Sequence, residues 1–253
     1  PKPQTPNPNP LSFYLIIMNC GFFEKIKSLF TYLFSLLPSI SEIRSNIYDL
    51  IFSKFLTVAS YKVLYEQFLA DKLQSFKSIL DIGIATGIPI RSINHHLKDK
   101  EITGIDIDEH YIDKARANLK QEPNIEVMHL NFYDIETFKR KFDVLLFGSS
   151  FMLMPDQKKA LEVSKRVLNK NGKVYFLLTL YKSSNNHSII KRIKPILKKY
   201  TSVDFGRLIY EDEMEQIITS NGLRIVKKER VFQGVNPLFY IFRFFCIECE
   251  FVN

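Results

Sequence analysis

A chain of 253 residues has room for one α/β domain and an extension. Its 46% hydrophobic and 25% charged residues are those of a soluble globular protein, and three cysteines exclude a disulfide framework and point to a reducing, cytoplasmic compartment. The formal net charge of +8 favours anionic partners, nucleic acid or an anionic membrane surface, or else a solvated lysine face, and says nothing about fold.

Residues 1–17 carry prolines at positions 1, 3, 6, 8 and 10 and read as a disordered leader, with Met18 a candidate start. The leader lacks a basic start and a cleavage site, which argues against a secretory signal. Residues 18–76 read as an N-terminal helical extension. Its first half places Phe22, Phe23, Ile26, Leu29, Phe30, Leu33, Phe34 and Leu37 on one broad apolar face opposite Glu24, Lys25 and Lys27. The uncharged runs fall short of the roughly 20 apolar residues that a bilayer requires. Two readings stay open: an amphipathic helix lying at a membrane surface, or a helix packed on the domain and closing its site. A second helical region, residues 45–76, leads into the next element.

Residues 78–89, SILDIGIATGIP, read as strand, tight loop and helix. Gly83 and Gly87 give the loop backbone freedom and allow a ligand close to the main chain. The run 102–108, ITGIDID, repeats the design and ends with Asp106 about 20 residues past the loop, where a carboxylate can accept hydrogen bonds from ribose hydroxyls. A dinucleotide fingerprint fails at Ala85 and Ile88, and no G-x-x-x-x-G-K-[ST] occurs. Asp81, Gly83, Ala85 and Gly87 instead resemble the first motif, D-x-G-x-G-x-G, of class I S-adenosylmethionine-dependent methyltransferases, with alanine in place of the middle glycine. The resemblance implies a Rossmann-like α/β fold in residues 77–253, a mostly parallel sheet with an antiparallel C-terminal hairpin strand and helices on both faces. It implies S-adenosyl-L-methionine as cofactor, held by Asp81, Gly83, Ala85, Gly87, Asp106 and Ile107. By the same resemblance the preceding helices form a lid, which makes Tyr48, Tyr61 and Tyr65 candidate pocket residues.

A helix follows over residues 109–120 and a third strand over 124–130. Where the family has an acidic residue that meets the adenine amino group, this chain has Asn131, Phe132, Tyr133 and Asp134, and the choice between Asn131 and Asp134 stays open. Residues 142–147, FDVLLF, suit a central parallel strand, and Gly148 and Ser149 at its end border cofactor and acceptor. A helix over 156–168 stops at Asn171-Gly172, before a strand over 173–180. The passage RVLNKNGKVYFLLTL resembles the matching helix, turn and strand of the family, so the resemblance runs in order from residue 78 to 180.

Residues 181–207 read as an insertion. Ile189, Ile190, Ile193, Ile196 and Leu197 form an apolar stripe among lysines, kinked at Pro195, suited to an anionic membrane, a phosphorylated substrate or a lid. His187 is the candidate general base. A helix over 210–220 and strands over 223–232 and 238–252 close the domain. Cys246 and Cys249 stand three apart on the last strand, on opposite faces, which argues against a shared metal or redox role.

Direct in-line methyl transfer needs neither metal nor covalent intermediate, and positioning alone supplies roughly 7–11 kcal/mol. The strand end GSSF lacks the N/D-P-P-Y/F tetrapeptide of base-amine methylases, and no Pro-Cys nucleophile occurs. A small-molecule or lipid-like acceptor therefore fits better than nucleic acid. Two alternatives remain, a degenerate methyltransferase-fold adaptor at a membrane surface, and aminopropyl transfer, whose acidic acceptor signature is not evident.

Overall fold

Apolar runs become strands and the amphipathic stretches between them become helices, alternating along the chain in a computed structural model that describes residues 57–182, 208–231 and 243–252. The apolar face of residues 11–40, Tyr48, most of the 181–207 insertion and His187 lie outside the described residues. Among the described residues no helix is long and apolar enough to cross a membrane.

Helix α1 (Val58–Leu64) runs on through a π turn (Tyr65–Leu69) and a 3-10 turn (Ala70–Ser75) into β1 (Ser78–Ile82). Then come α2 (Ile88–Asn94), β2 (Glu101–Asp106), α3 (Glu109–Leu119) and β3 (Ile125–His129). A 3-10 turn (Phe132–Phe138) leads to β4 (Phe142–Gly148), and a second (Phe151–Leu153) to α4 (Gln157–Val167) and the long β5 (Leu168–Tyr181). The chain closes with the short β6 (Ile209–Tyr210), α5 (Glu211–Ser220), β7 (Leu223–Arg230) and β8 (Phe244–Phe251).

The sheet has the order β3-β2-β1-β4-β5-β8-β7, with β6 beside β5. Strands β1 to β5 pair in parallel, and β8 lies antiparallel between β5 and β7. This is the Rossmann-like sheet with an antiparallel C-terminal hairpin that the sequence predicts. Alternating side chains fill two cores, as the two-residue period of a strand requires. Ile79, Val144, Leu146, Tyr175 and Leu177 join α1, α2 and α3 on one face. Leu80, Ile82, Leu145, Phe147 and Phe176 join α4 and α5 on the other.

Helix α3 is capped by Asp108, whose carboxylate accepts from the His110 and Tyr111 amides, and α4 by Asp156, which accepts from Lys159. One boundary differs from the sequence reading. The α4 helix ends at Val167 and β5 begins at Leu168, ahead of Asn171-Gly172. Those residues form a bulge inside the strand: Asn171 takes φ 69, and the pairing jumps from Phe142↔Leu168 to Val144↔Lys173. A side chain at Gly172 would press on Leu168 and on the Asp143 carbonyl.

Candidate functional site

Parallel strands leave a crevice beyond their carboxyl ends. Here β1 to β4 end together with Asp81, Asp106, Asn131-Phe132 and Gly148-Ser149 at their tips. The loop after β1 is held in left-handed turns, with φ 79 at Gly83, 49 at Ala85 and 73 at Gly87. Its amides are stitched to β2: Gly83 and Ile84 donate to the Ile105 carbonyl at 2.8 and 3.0 Å, and Ala85 donates to Asp106 Oδ2 at 3.0 Å. Glycine is required at 83, since a Cβ there would lie 2.6 Å from Ser150 Cβ. The Ser150 hydroxyl in turn donates to the Ile82 carbonyl.

Asp106 therefore shapes the loop as well as facing the crevice. Its other oxygen accepts the Asp108 amide at 3.1 Å, and each carboxylate oxygen keeps a further lone pair for a ligand. Burial pushes its pKa above the ordinary value, partly opposed by those amides and reinforced by the Asp108 charge. Ile107, the next residue, is 69% exposed, an apolar side chain set at the crevice rim.

Asp81 is buried, and its carboxyl accepts a hydrogen bond from Tyr61 of α1, Oη to Oδ1 at 2.9 Å. Burial pushes it up to about 7, with the Tyr61 hydrogen bond pulling down and the charge of Asp106 pushing up. Among the described residues neither Asp81 nor Asp106 pairs with a lysine or arginine.

At the end of β4, Ser149 takes φ 65 and its amide donates to the Leu177 carbonyl at 2.8 Å. Its buried hydroxyl has no hydrogen-bond partner among the described residues, and a buried hydroxyl without one is costly. A ligand in the crevice can supply that partner. Beneath these tips Phe147 and Phe176 stack at 5.3 Å, with Phe132 and Phe151 edge-on to Phe147 at 5.4 and 5.3 Å. Edge-on and offset ring pairs each add about 0.5–1.5 kcal/mol, so this cluster fixes the two loops that follow β3 and β4.

Asp81, Gly83, Ala85, Asp106, Ile107, Gly148 and Ser149 lie together at the carboxyl end of the sheet, whereas Gly87 packs on Leu119 and Ala115 of α3. The remaining pair is placed differently. Asn131 caps the 3-10 turn, its side chain accepting the Tyr133 amide at 3.1 Å, and Phe132 turns into the core. Asp134 is exposed on that same turn. Sequence reasoning named Tyr61 among pocket tyrosines and missed its bond to Asp81. It also missed why Gly148 is glycine: a Cβ there would lie 2.1 Å from the Tyr61 hydroxyl. No local pattern signals a contact between residues 20 apart on different elements.

Comparison with known proteins adds an independent line. A family described as a methyltransferase domain matches residues 79–172. A demethylmenaquinone methyltransferase from Thermotoga maritima is 25% identical over 174 residues, covering 65% of this chain and 74% of its own. A malonyl-[acyl-carrier protein] O-methyltransferase from Ilyobacter polytropus is 27% identical over 122 residues, 44% of each chain. Among curated relatives the chain spans about half the length of several, 47% for a Staphylococcus haemolyticus demethylmenaquinone methyltransferase. In fold it is similar to the plantazolicin methyltransferase BpumL, solved with a substrate analogue and SAH, at TM-score 0.63 and 17% identity over 84% of this chain and 90% of that one.

Proposed function

We propose that the chain is a class I, Rossmann-like S-adenosylmethionine-dependent methyltransferase that methylates a small-molecule or lipid-like acceptor by direct in-line transfer. The observation that carries the reading is the left-handed loop 83–87 stitched to Asp106 beside a second carboxyl that pairs with no lysine or arginine among the described residues. The residues fit the cofactor. Asp81 and Asp106 offer acceptors to its ammonium and ribose hydroxyls, loop glycines allow close approach, Ile107 offers an apolar face to the adenine, and Ser149 offers a hydroxyl that has no partner among the described residues.

When bound, the cofactor supplies an electrophilic methyl group on sulfur. What the protein adds is position. Hydrogen bonds from the glycine loop to Ile105 and Asp106, and from Ser149 to Leu177, hold the loop and the end of β4 in place, and a held site lowers the ordering that binding requires. The aromatic cluster keeps the Ser149 turn rigid on the acceptor side. The relatives named for demethylmenaquinone and for malonyl-[acyl-carrier protein] support an acceptor of small-molecule or lipid-like type. The adaptor alternative requires a loop damaged by its departure from the family's glycine at Ala85. Ala85 keeps the left-handed loop conformation and its amide contact to Asp106, and no observation favours the adaptor.

The acceptor is testable with S-adenosyl-L-methionine carrying a labelled methyl group. Incubation with a demethylated naphthoquinol, a malonyl thioester and an oligonucleotide should label one of the first two and not the third. Labelling of the oligonucleotide alone would overturn the acceptor class.

A further inference from the structure

Tyr61 lies outside the matched stretch 79–172, yet its hydroxyl sits 2.9 Å from Asp81 Oδ1 and 3.2 Å from Oδ2. Both residues are almost fully buried, 2% and 1% exposed. Gly148 clears the path, because a Cβ on it would occupy the space of the tyrosine oxygen. In register across the sheet, Asp81 faces Gly104 on β2 and Leu146 on β4, neither with a polar side chain. Tyr61 is thus the hydrogen-bond donor to this carboxyl among the described residues. The titratable groups that bear on Asp81 are Tyr61 from α1 and Asp106 from β2, while β4 contributes none.

Resting on the function proposed above, we infer that Tyr61 is a positioning residue for the cofactor: its hydroxyl fixes the Asp81 carboxylate at the glycine loop, so that helix α1 sets the pH range over which the loop holds a cationic ligand. A buried carboxylate with one neutral donor is poorly solvated, and its charged form leans on that donor. The cofactor's α-ammonium is the group such a carboxylate would hold. Loss of the donor shifts Asp81 toward its neutral form and weakens binding in the lower part of the pH range. At higher pH the carboxylate re-forms and binding returns.

The test is S-adenosylhomocysteine affinity from pH 5.5 to 8.5 for wild type and Tyr61→Phe, with a ligand-free carbon-13 titration of the Asp81 carboxyl. Tyr61→Phe should bind about tenfold more weakly at pH 6.5 and within about twofold of wild type at pH 8.5, as a shift of about one pH unit requires. The ligand-free titration midpoint should move up by a similar amount. Gly148→Ala, which crowds the hydroxyl while keeping the tyrosine, should displace the profile in the same direction and covers the case in which Tyr61→Phe fails to fold. If wild type binds and Tyr61→Phe is weakened equally at every pH, or not at all, the inference falls alone. If wild type does not bind, the proposed function falls and takes the inference with it.

Discussion

Ala85 stands at φ 49, a left-handed conformation that an L-residue with a Cβ adopts at a penalty of about 1–2 kcal/mol. Glycine removes the penalty but makes the unfolded chain freer, which offsets part of the gain. Ala85→Gly should therefore raise stability by about 0.5–1 kcal/mol, a Tm increase of roughly 1–4 °C for a domain of this size. A lower Tm would mean that the alanine methyl makes a favourable contact. Asp81 carries a second prediction at this scale. Burial raises its folded-state pKa from 3.8 to about 7, so the folded protein holds this proton more tightly than the unfolded chain. Stability from this group is then fully present below about pH 4 and is lost as pH rises to about 7, by up to about 4 kcal/mol through linkage. Denaturant titrations of the ligand-free protein across that range should show the decline, and Asp81→Asn should flatten it. Residues with local meaning were legible in the sequence: the glycines of the loop, and the acid at the end of β2. The capping role of Asn131 was not, because the 3-10 turn whose Tyr133 amide its side-chain oxygen accepts begins one residue later.

Elements are joined by contacts that no periodicity reveals. The 3-10 turn Ala70–Ser75 is tied to β8 by Lys72 Nζ, 2.7 Å from Glu248, whose side chain is 1% exposed against 34% for the lysine. Removing the cation leaves a buried carboxylate unpaired, whereas removing both partners does not. Lys72→Met should cost about 2–4 kcal/mol in denaturant unfolding. Adding Glu248→Gln should recover most of it, and additive losses would contradict the coupling. The same strand shows where pattern reading works well. Cys246 and Cys249 fall on opposite faces, one in each core, as their spacing predicts. Burial pushes the Cys249 thiol up to about 12 and the Cys246 thiol well above its usual range. In a Cys20→Ser background, both should resist thiol-specific labelling until the protein is unfolded. Rapid labelling of the native protein would mean that β8 opens.

At the scale of the whole molecule, strand order and the two cores follow from apolar runs separated by helical stretches, and those were readable one segment at a time. Less readable was the junction of α4 and β5, where Asn171-Gly172 looked like a helix stop and makes a strand bulge instead. A left-handed residue serves either purpose, and the hydrogen-bonding partner across the sheet decides between them. The glycine loop was legible because its glycines answer to local backbone geometry. Helix α1 was legible as a helix, and the resemblance named Tyr61 a pocket candidate; its bond to Asp81 was not legible, since the tyrosine reaches the loop only once the chain is folded. Strand tips β1 to β4 are the proposed seat of the methyl donor. The most direct measurement is thermal unfolding with and without S-adenosylhomocysteine, in wild type and in Asp106→Ala. At a hundredfold excess over its dissociation constant a ligand adds about 2.7 kcal/mol, which for a domain of this size raises Tm by roughly 5–10 °C. Wild type should show that rise and Asp106→Ala should lose it; a well-folded wild type with no rise would contradict a donor site at these strand tips.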